Sequence, residues 1–518
     1  MTASPVIPVL TAAESAAWDA RARTEAGIPG RVLMESAGRA AAAVIARELA
    51  GALGRGALVV AGPGNNGGDG WVIARALHAA GLTVWGTDLP QRRSPDCEAN
   101  RTLALGEGVE FVEPDGRWPA AGVIVDALLG TGASEAPRGP LAELARHVAA
   151  HGAPVAAVDG PTGLDLTTGV AHGPIRAALT VTFGGLRRGH LLARDRAGRV
   201  VVVEIGFPPA DPAWPTFVTD AWAAAMLPGF SPAMHKGDRG RVLVVGGDVG
   251  MAGAAMHVAR TAFACGAGLV KLALPQRSLD AAQANLPDAL TVATALGPEL
   301  EPDLAQALDW ADAIVLGPGL GRGDARAAFA RAVLERAVVP VVIDADALHV
   351  PDLAGVGDAA RVLTPHPGEF AAQFPALADL ARDDRFAAPS AALDLLAAAP
   401  SGGRAALLLK GVPTVIAGDA GVRVVGAGNP ALATGGSGDL LAGTIAAFLA
   451  RGLPPLDASS LGAHVMGRAA DLLAARRGVR GTRPEDVAGA YPEVWDVLGA
   501  PVPPAPPMLL TLDPPVVS

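Results

Sequence analysis

The chain has 518 residues, too many for one ordinary core, so two or more domains are expected. Half the residues are apolar, aromatics are few, and the net charge is −10, which suits a parallel α/β sheet with buried strands and argues against a nucleic-acid footprint. Cys97 and Cys265 lie in different halves and give neither a disulfide framework nor a CxxC pair; no charged-then-apolar leader and no apolar run long enough to span a bilayer is seen, so a soluble, cytoplasmic protein is expected.

In chain order, Thr11 with Glu14 matches a capping box and Gly27 offers a stop, which predicts a helix over about 12–26; an alanine-rich helix follows at about 31–50. Ala57 to Ala61 reads as a buried strand that ends in Gly62-Pro63-Gly64-Asn65-Asn66-Gly67-Gly68-Asp69-Gly70, with a helix running on to Gly81. Strand, glycine loop and helix make the first unit of a doubly wound fold. Gly62, Gly64 and Gly67 fit GxGxxG, and Asp88 at the end of the next strand could serve as a ribose acid, so an oxidoreductase is one alternative. The paired asparagines and Asp69 go beyond that fingerprint, since they can hold a polar ligand or present oxygens to a cation. A plain Asn/Gly turn selected for positive φ is the bland reading. Two further apolar strands end in acids, Val123 to Val125 before Asp126 and Val155 to Val158 before Asp159. Carboxyl ends of strands form the ligand crevice in such sheets, so these glycine-flanked loops should converge on one site.

Pro208, Pro209, Pro212, Pro215, Pro228 and Pro232 crowd residues 207–233, where a domain boundary is expected. Beyond it, strands Arg241 to Val245, Ala313 to Leu316, Val341 to Ile343, Arg361 to Thr364 and Ala406 to Leu409 each run into a polar or glycine loop, with helices between. A long small-residue helix, Ala252 to Cys265, is suited to close packing on a sheet. The stretch Asn429 to Phe448 carries the sharpest chemistry: Gly435, Gly436, Ser437 and Gly438 lead into a helix beginning near Asp439. Backbone N–H groups at such a helix start hold a phosphate, and an aspartate there suggests a base for the phosphoryl acceptor. The bland alternatives are a capping Asp439, a turn residue at His366 and a snorkelling Lys410. The tail from Pro501 is proline-rich and is expected to be poorly ordered.

GPGNNGGDG, VDALLGTG and DGPTG, over about residues 10–210, resemble the NAD(P)H-hydrate epimerase family of the YjeF N-terminal type. The resemblance implies substrate contacts at Asn65, Asn66, Gly67, Gly68 and Asp69, at Gly130, Thr131, Gly132, Ala133, Ser134, Glu135 and Ala136, and at Asp159. It implies potassium ligands at Asn66, Asp126 and Thr162, with Asp126 the best candidate for proton transfer. Many relatives have Ser where Thr162 stands and Asn where Ser36 stands. HKGxRG, GPGLG, the DxDAL strand end, TPHPGE, LKGxxT and NPxxxTGGSGD, over about 228–500, resemble the ADP- or ATP-dependent NAD(P)H-hydrate dehydratase family, a branch of the ribokinase-like fold. That implies nucleotide contacts at Lys410, Gly411, Val412, Pro413, Thr414 and Gly438, and contacts to the hydrated substrate at Ala254, Gly319, His366 and Asp439. Asp439 would be the base, and Mg2+ would accompany ADP.

Together these readings give an α/β protein of two domains. An N-terminal Rossmann-like α/β/α sandwich with epimerase activity is expected over 1–215, a C-terminal ribokinase-like α/β/α dehydratase over 225–500, and a proline-rich tail over 501–518. Expected partners are small molecules (hydrated NADH and NADPH, ADP), with neither nucleic acid nor membrane, in a homo-oligomer. A kinase of a small hydroxylated metabolite is the alternative for the second half, and a nucleotide-sensing module without turnover for the first.

Overall fold

A computed structural model describes residues 6–397, 404–500 and 506–517. The chain divides into two compact units, Met1–Phe217 with Pro503–Pro515, and Val218–Val502 with Val516–Ser518. The division after Phe217 falls within the proline-rich stretch, which also carries a short helix, Asp220–Met226, capped by the Thr219 hydroxyl.

In the first unit one sheet runs in the order 508–512, 199–203, 179–183, 155–158, 123–127, 57–61, 84–88, 110–111. All neighbours are parallel except the first pair. The strands are short runs of Val, Ala, Ile and Leu, and Ala57–Ala61 and Val123–Ala127 are buried along their whole length, because helices cover both faces. The chain moves outward from 57–61 to 84–88 and 110–111. It then returns to lay 123–127 on the other side. That reversal opens a crevice at the carboxyl ends of 57–61 and 123–127.

Two local expectations are corrected here. Asn65 to Asp69 form the first turn of the helix Asn65–Ala79 rather than a loop. None of the glycines from Gly62 to Gly70 has a positive φ; all but Gly64 are required by close approach. A Cβ at Gly62 would overlap the Leu128 carbonyl oxygen, and one at Gly67 would overlap the carbonyl oxygen of Gly62. The tail also differs from expectation: Met508–Leu512 pairs antiparallel with Arg199–Val203, and Arg199 Nε meets Asp513 Oδ1 at 2.6 Å.

In the second unit the strands lie in the order 421–425, 414–418, 405–409, 361–363, 341–343, 313–316, 241–245, 269–274, 290–293. Only the hairpin strands 414–418 and 421–425 run antiparallel to their neighbours. Here too the strand order reverses, at 241–245 and 313–316. The small-residue helix Ala252–Ala264 packs closely on the helix Ser437–Leu449. A side chain at Gly443 would overlap the Val258 carbonyl oxygen, and the Thr261 hydroxyl donates to Leu440 O at 2.9 Å.

Candidate active sites

In the first unit a cavity of about 510 Å³ opens at the reversal of strand order. Asn65, Asn66 and Asp69 come from the helix start, and Gly130, Thr131, Gly132 and Ala133 from the loop after Val123–Ala127. Asp159 comes from the end of Val155–Val158 and Arg187 from a short strand paired with Val9–Leu10. Gly67 and Gly68 lie in the helix behind this wall, and Glu135 points to solvent, paired with Arg138 at 2.7 Å; Ser134 and Ala136 are likewise off the cavity wall.

Asp159 adopts a left-handed backbone, φ 66°, and its carboxylate is saturated with donors. It accepts from Thr131 N at 3.0 Å, the Thr131 hydroxyl, Thr182 Oγ1 at 3.0 Å and the Arg187 guanidinium at 3.2 Å. His190 Nδ1 accepts from Arg187 N, which leaves Nε2 to donate to Asp159 O at 2.8 Å. Burial, reinforced by the Arg187 charge, pushes His190 down to about 4, so it is neutral at neutral pH and this tautomer is fixed. Asp159 thus positions the Gly130–Gly132 loop.

Asp126 is fully buried behind the cavity wall. It accepts from Thr162 Oγ1 at 2.7 Å, Thr162 N at 2.8 Å and Leu128 N at 3.3 Å, and burial pushes it up to about 6 against these bonds. All its partners are neutral. The Asn66 side chain packs beside Gly130 with its Nδ2 buried and unpartnered. Asp88, the would-be ribose acid, is buried between Arg93 at 2.9 Å and Arg101 at 2.7 Å, so its charge is already neutralised. The Glu35–Gly38 stretch also has a structural role: Glu35 pairs with Arg75, and a Cβ at Gly38 would collide with Val72.

In the second unit the glycine loop turns at Gly436, φ 96°, into the helix Ser437–Leu449, which places Asp439 in the first turn. Asn429 holds the approach to this loop: its Nδ2 donates to Asp471 Oδ1 at 3.0 Å and its Oδ1 accepts from Ala431 N. Lys410 Nζ meets Asp344 Oδ1 at 2.6 Å, and a Cβ at Gly438 would stand 3.1 Å from that ammonium. Burial, then repulsion from Asp344 and Asp346, opposed by Lys410, pushes Asp439 up to about 7. Ala254 and Gly319 face each other, since a Cβ on Gly319 would be 3.2 Å from the Ala254 methyl. His366 caps the helix Pro367–Gln373 through Nδ1, which accepts from Gly368 N at 3.0 Å. It is tied to the cluster only through its neighbour Pro365, whose carbonyl accepts from Lys410 N. Gly411 lies against the Arg385 guanidinium, and the Thr414 hydroxyl donates to Gly411 O at 3.1 Å; Val412 is exposed.

A family model described as YjeF-related protein N-terminus matches residues 30–189, and one described as NAD(P)H-hydrate dehydratase matches residues 242–493. A bifunctional NAD(P)H-hydrate repair enzyme Nnr from Salinibacter ruber is 37% identical, the alignment covering 94% of this chain and 96% of the relative. The chain belongs to the bifunctional NAD(P)H-hydrate repair enzymes. The Nnr of Escherichia coli is 36% identical over 85% of this chain and 86% of its own. An ADP/ATP-dependent NAD(P)H-hydrate dehydratase from Bacillus subtilis, co-crystallised with ATP/Mg2+, is similar in structure at 27% identity and a TM-score of 0.49, covering 54% of this chain and 98% of that one.

Membership of the repair family takes the place of the small-metabolite kinase and nucleotide-sensor alternatives. Two residues within these sites carry weight that sequence reading missed. Asp344 was visible as the first acid of the DxDAL strand end, but nothing in the pattern says that it neutralises Lys410. Arg187 has no motif; it reaches the cavity because Leu186–Arg187 pairs with Val9–Leu10. No helix among the described residues is long and apolar enough to cross a membrane.

Proposed function

We propose that the chain repairs hydrated NADH and NADPH in two steps, the first unit interconverting the R and S epimers and the second dehydrating the S form with conversion of ADP to AMP and phosphate. The observation that carries this reading is Asp439: a half-buried carboxyl held at about 7, in the first turn of a helix that follows a glycine loop, beside the Lys410–Asp344 pair. Asp439 takes the proton of the ring hydroxyl as the terminal phosphoryl of ADP moves to that oxygen. N–H groups at the start of Ser437–Leu449 stabilise the moving charge, and Lys410 to Thr414 with Gly438 hold the nucleotide. Loss of phosphate, with a proton from the adjacent ring carbon, restores the dihydronicotinamide. Ala254, Gly319 and His366 bind the hydrated ring's nucleotide.

Among the described residues no group of three or more His, Cys, Asp or Glu side chains could hold a metal ion. A divalent ion, Mg2+, would therefore be held chiefly by the nucleotide phosphates, whose charge it neutralises. In the first unit the donor set fits K+. Asp126 is a buried carboxylate with neutral partners only, and Asn66 and Thr162 add hard oxygens. Bound there, K+ would supply the missing countercharge. Asn65, Asp69, Thr131 and Ala133 face the substrate. The functional form is a cytoplasmic homo-oligomer.

The test is incubation of purified protein with each epimer of hydrated NADH, plus ADP or ATP, following recovery of absorbance. Both epimers should be recovered, with AMP and phosphate formed from ADP. A stable phosphorylated product without recovery would sink the reading.

A further inference from the structure

The cavity of the first unit has four aspartates on its wall, and two of them are paired with other groups. Asp159 is saturated by Thr131, Thr182 and Arg187. Asp19 pairs with Arg23 at 2.7 Å. Asp96 sits in the first turn of the helix Pro95–Gly106, at the rim of the wall. Asp69 has no hydrogen-bond donor among the described residues, and it projects from the helix Asn65–Ala79 onto the cavity wall. Asp126, the other buried acid of the region, is off the wall with both oxygens occupied.

We propose that Asp69 is the catalytic residue that exchanges a proton with the substrate during epimer interconversion. This rests on reading the first unit as the hydrate epimerase. Hydration of an enamine leaves the hydroxyl on the ring carbon bonded to nitrogen. Protonated Asp69 gives its proton to that hydroxyl. The C–O bond breaks with its electron pair leaving on oxygen as water, while the ring-nitrogen lone pair closes a C=N bond. A water molecule then attacks the opposite face, the C=N electrons return to nitrogen, and the surplus proton goes back to Asp69. Proton and water are both restored, so only the configuration changes.

The surroundings keep Asp69 available as an acid. Burial, then repulsion from Asp159 and Asp19, holds its carboxyl well above the usual carboxylate range. The charged groups that share the cavity wall with it are Asp159 and Arg187, Asp19 and Arg23 on the helix Ala12–Thr24, and Asp96 on Pro95–Gly106; buried Asp126 and neutral His190 are off the wall.

The experiment uses the full chain with Asp69→Asn and Asp69→Glu, supplied with nucleotide and pure R or pure S hydrate of NADH. In Asp69→Asn, R-hydrate recovery, which needs exchange, should fall by about 100-fold or more. S-hydrate recovery reports the second unit and shows that the chain is folded. Asp69→Glu, which keeps the acid, should regain part of the exchange. Wild-type exchange should fall as pH rises through the Asp69 titration, and Asp69→Asn should lack that limb. Exchange by Asp69→Asn within about threefold of wild type, or an unchanged pH limb, would overturn the assignment. A wild-type chain that recovers S but exchanges no epimers would overturn the functional reading of this unit itself.

Discussion

Asp439 illustrates how three charges set one proton. Asp344 is paired with Lys410 at 2.6 Å and accepts from the Thr364 hydroxyl at 2.7 Å; burial, then the repulsion from Asp344 and Asp346 that Lys410 only partly offsets, leaves Asp439 titrating at about 7. A base must be deprotonated to act, so dehydration of the S hydrate should rise about tenfold per pH unit below about 7 and level off above it. Asp439→Asn should abolish dehydration while epimer exchange continues. Lys410→Met removes the one attraction that lowers the Asp439 titration, so the limb should move to higher pH as nucleotide affinity falls. A pH–rate profile of the variant with an unmoved limb would break this account.

The glycine-rich starts of the two functional helices were legible in sequence, but for different physical reasons. Gly436 does need its left-handed turn, whereas Gly62 and Gly67 are small because carbonyl oxygens press on them. Composition alone does not separate these cases, which is why Asn65 to Asp69 read as a loop when they are a helix turn. Strands were legible because each is a short buried apolar run ending in an acid or glycine. Their partners are not a matter of spacing: Asp126 was grouped with Thr162 only through the family resemblance, and Asp344 with Lys410 not at all, since crossovers in the sheet join both pairs. The distinction can be measured. Gly67→Ala should destabilise the first unit by about 2–3 kcal/mol through overpacking. Gly64→Ala, at an exposed position with nothing within 4 Å of a Cβ, should stay within about 0.5 kcal/mol in the same denaturation experiment.

At the scale of the whole chain, the last strand belongs to the first unit although its sequence follows the second. The flanking prolines and its five-residue length give no periodic signal, and its partner Arg199–Val203 lies some three hundred positions earlier, so pairing could not be read from local pattern. The strand covers one edge of the sheet, Glu204 N donates to Pro507 O at 2.7 Å, and Met508 packs on the core. Deleting residues 506–515 would uncover that edge and lose the half-buried Met508, Leu509 and Leu510, a cost of about 2 kcal/mol from burial of apolar surface. For a unit of this size that corresponds to a fall of about 4–8 °C in its melting midpoint. The second unit keeps its C-terminal helix, Tyr491–Gly499, in the shortened chain. Heating the two proteins side by side should therefore show epimer exchange lost at lower temperature in the deletion, with S-hydrate dehydration lost at the same temperature in both. Parallel loss of the two activities would mean that the strand supports more than the sheet it completes.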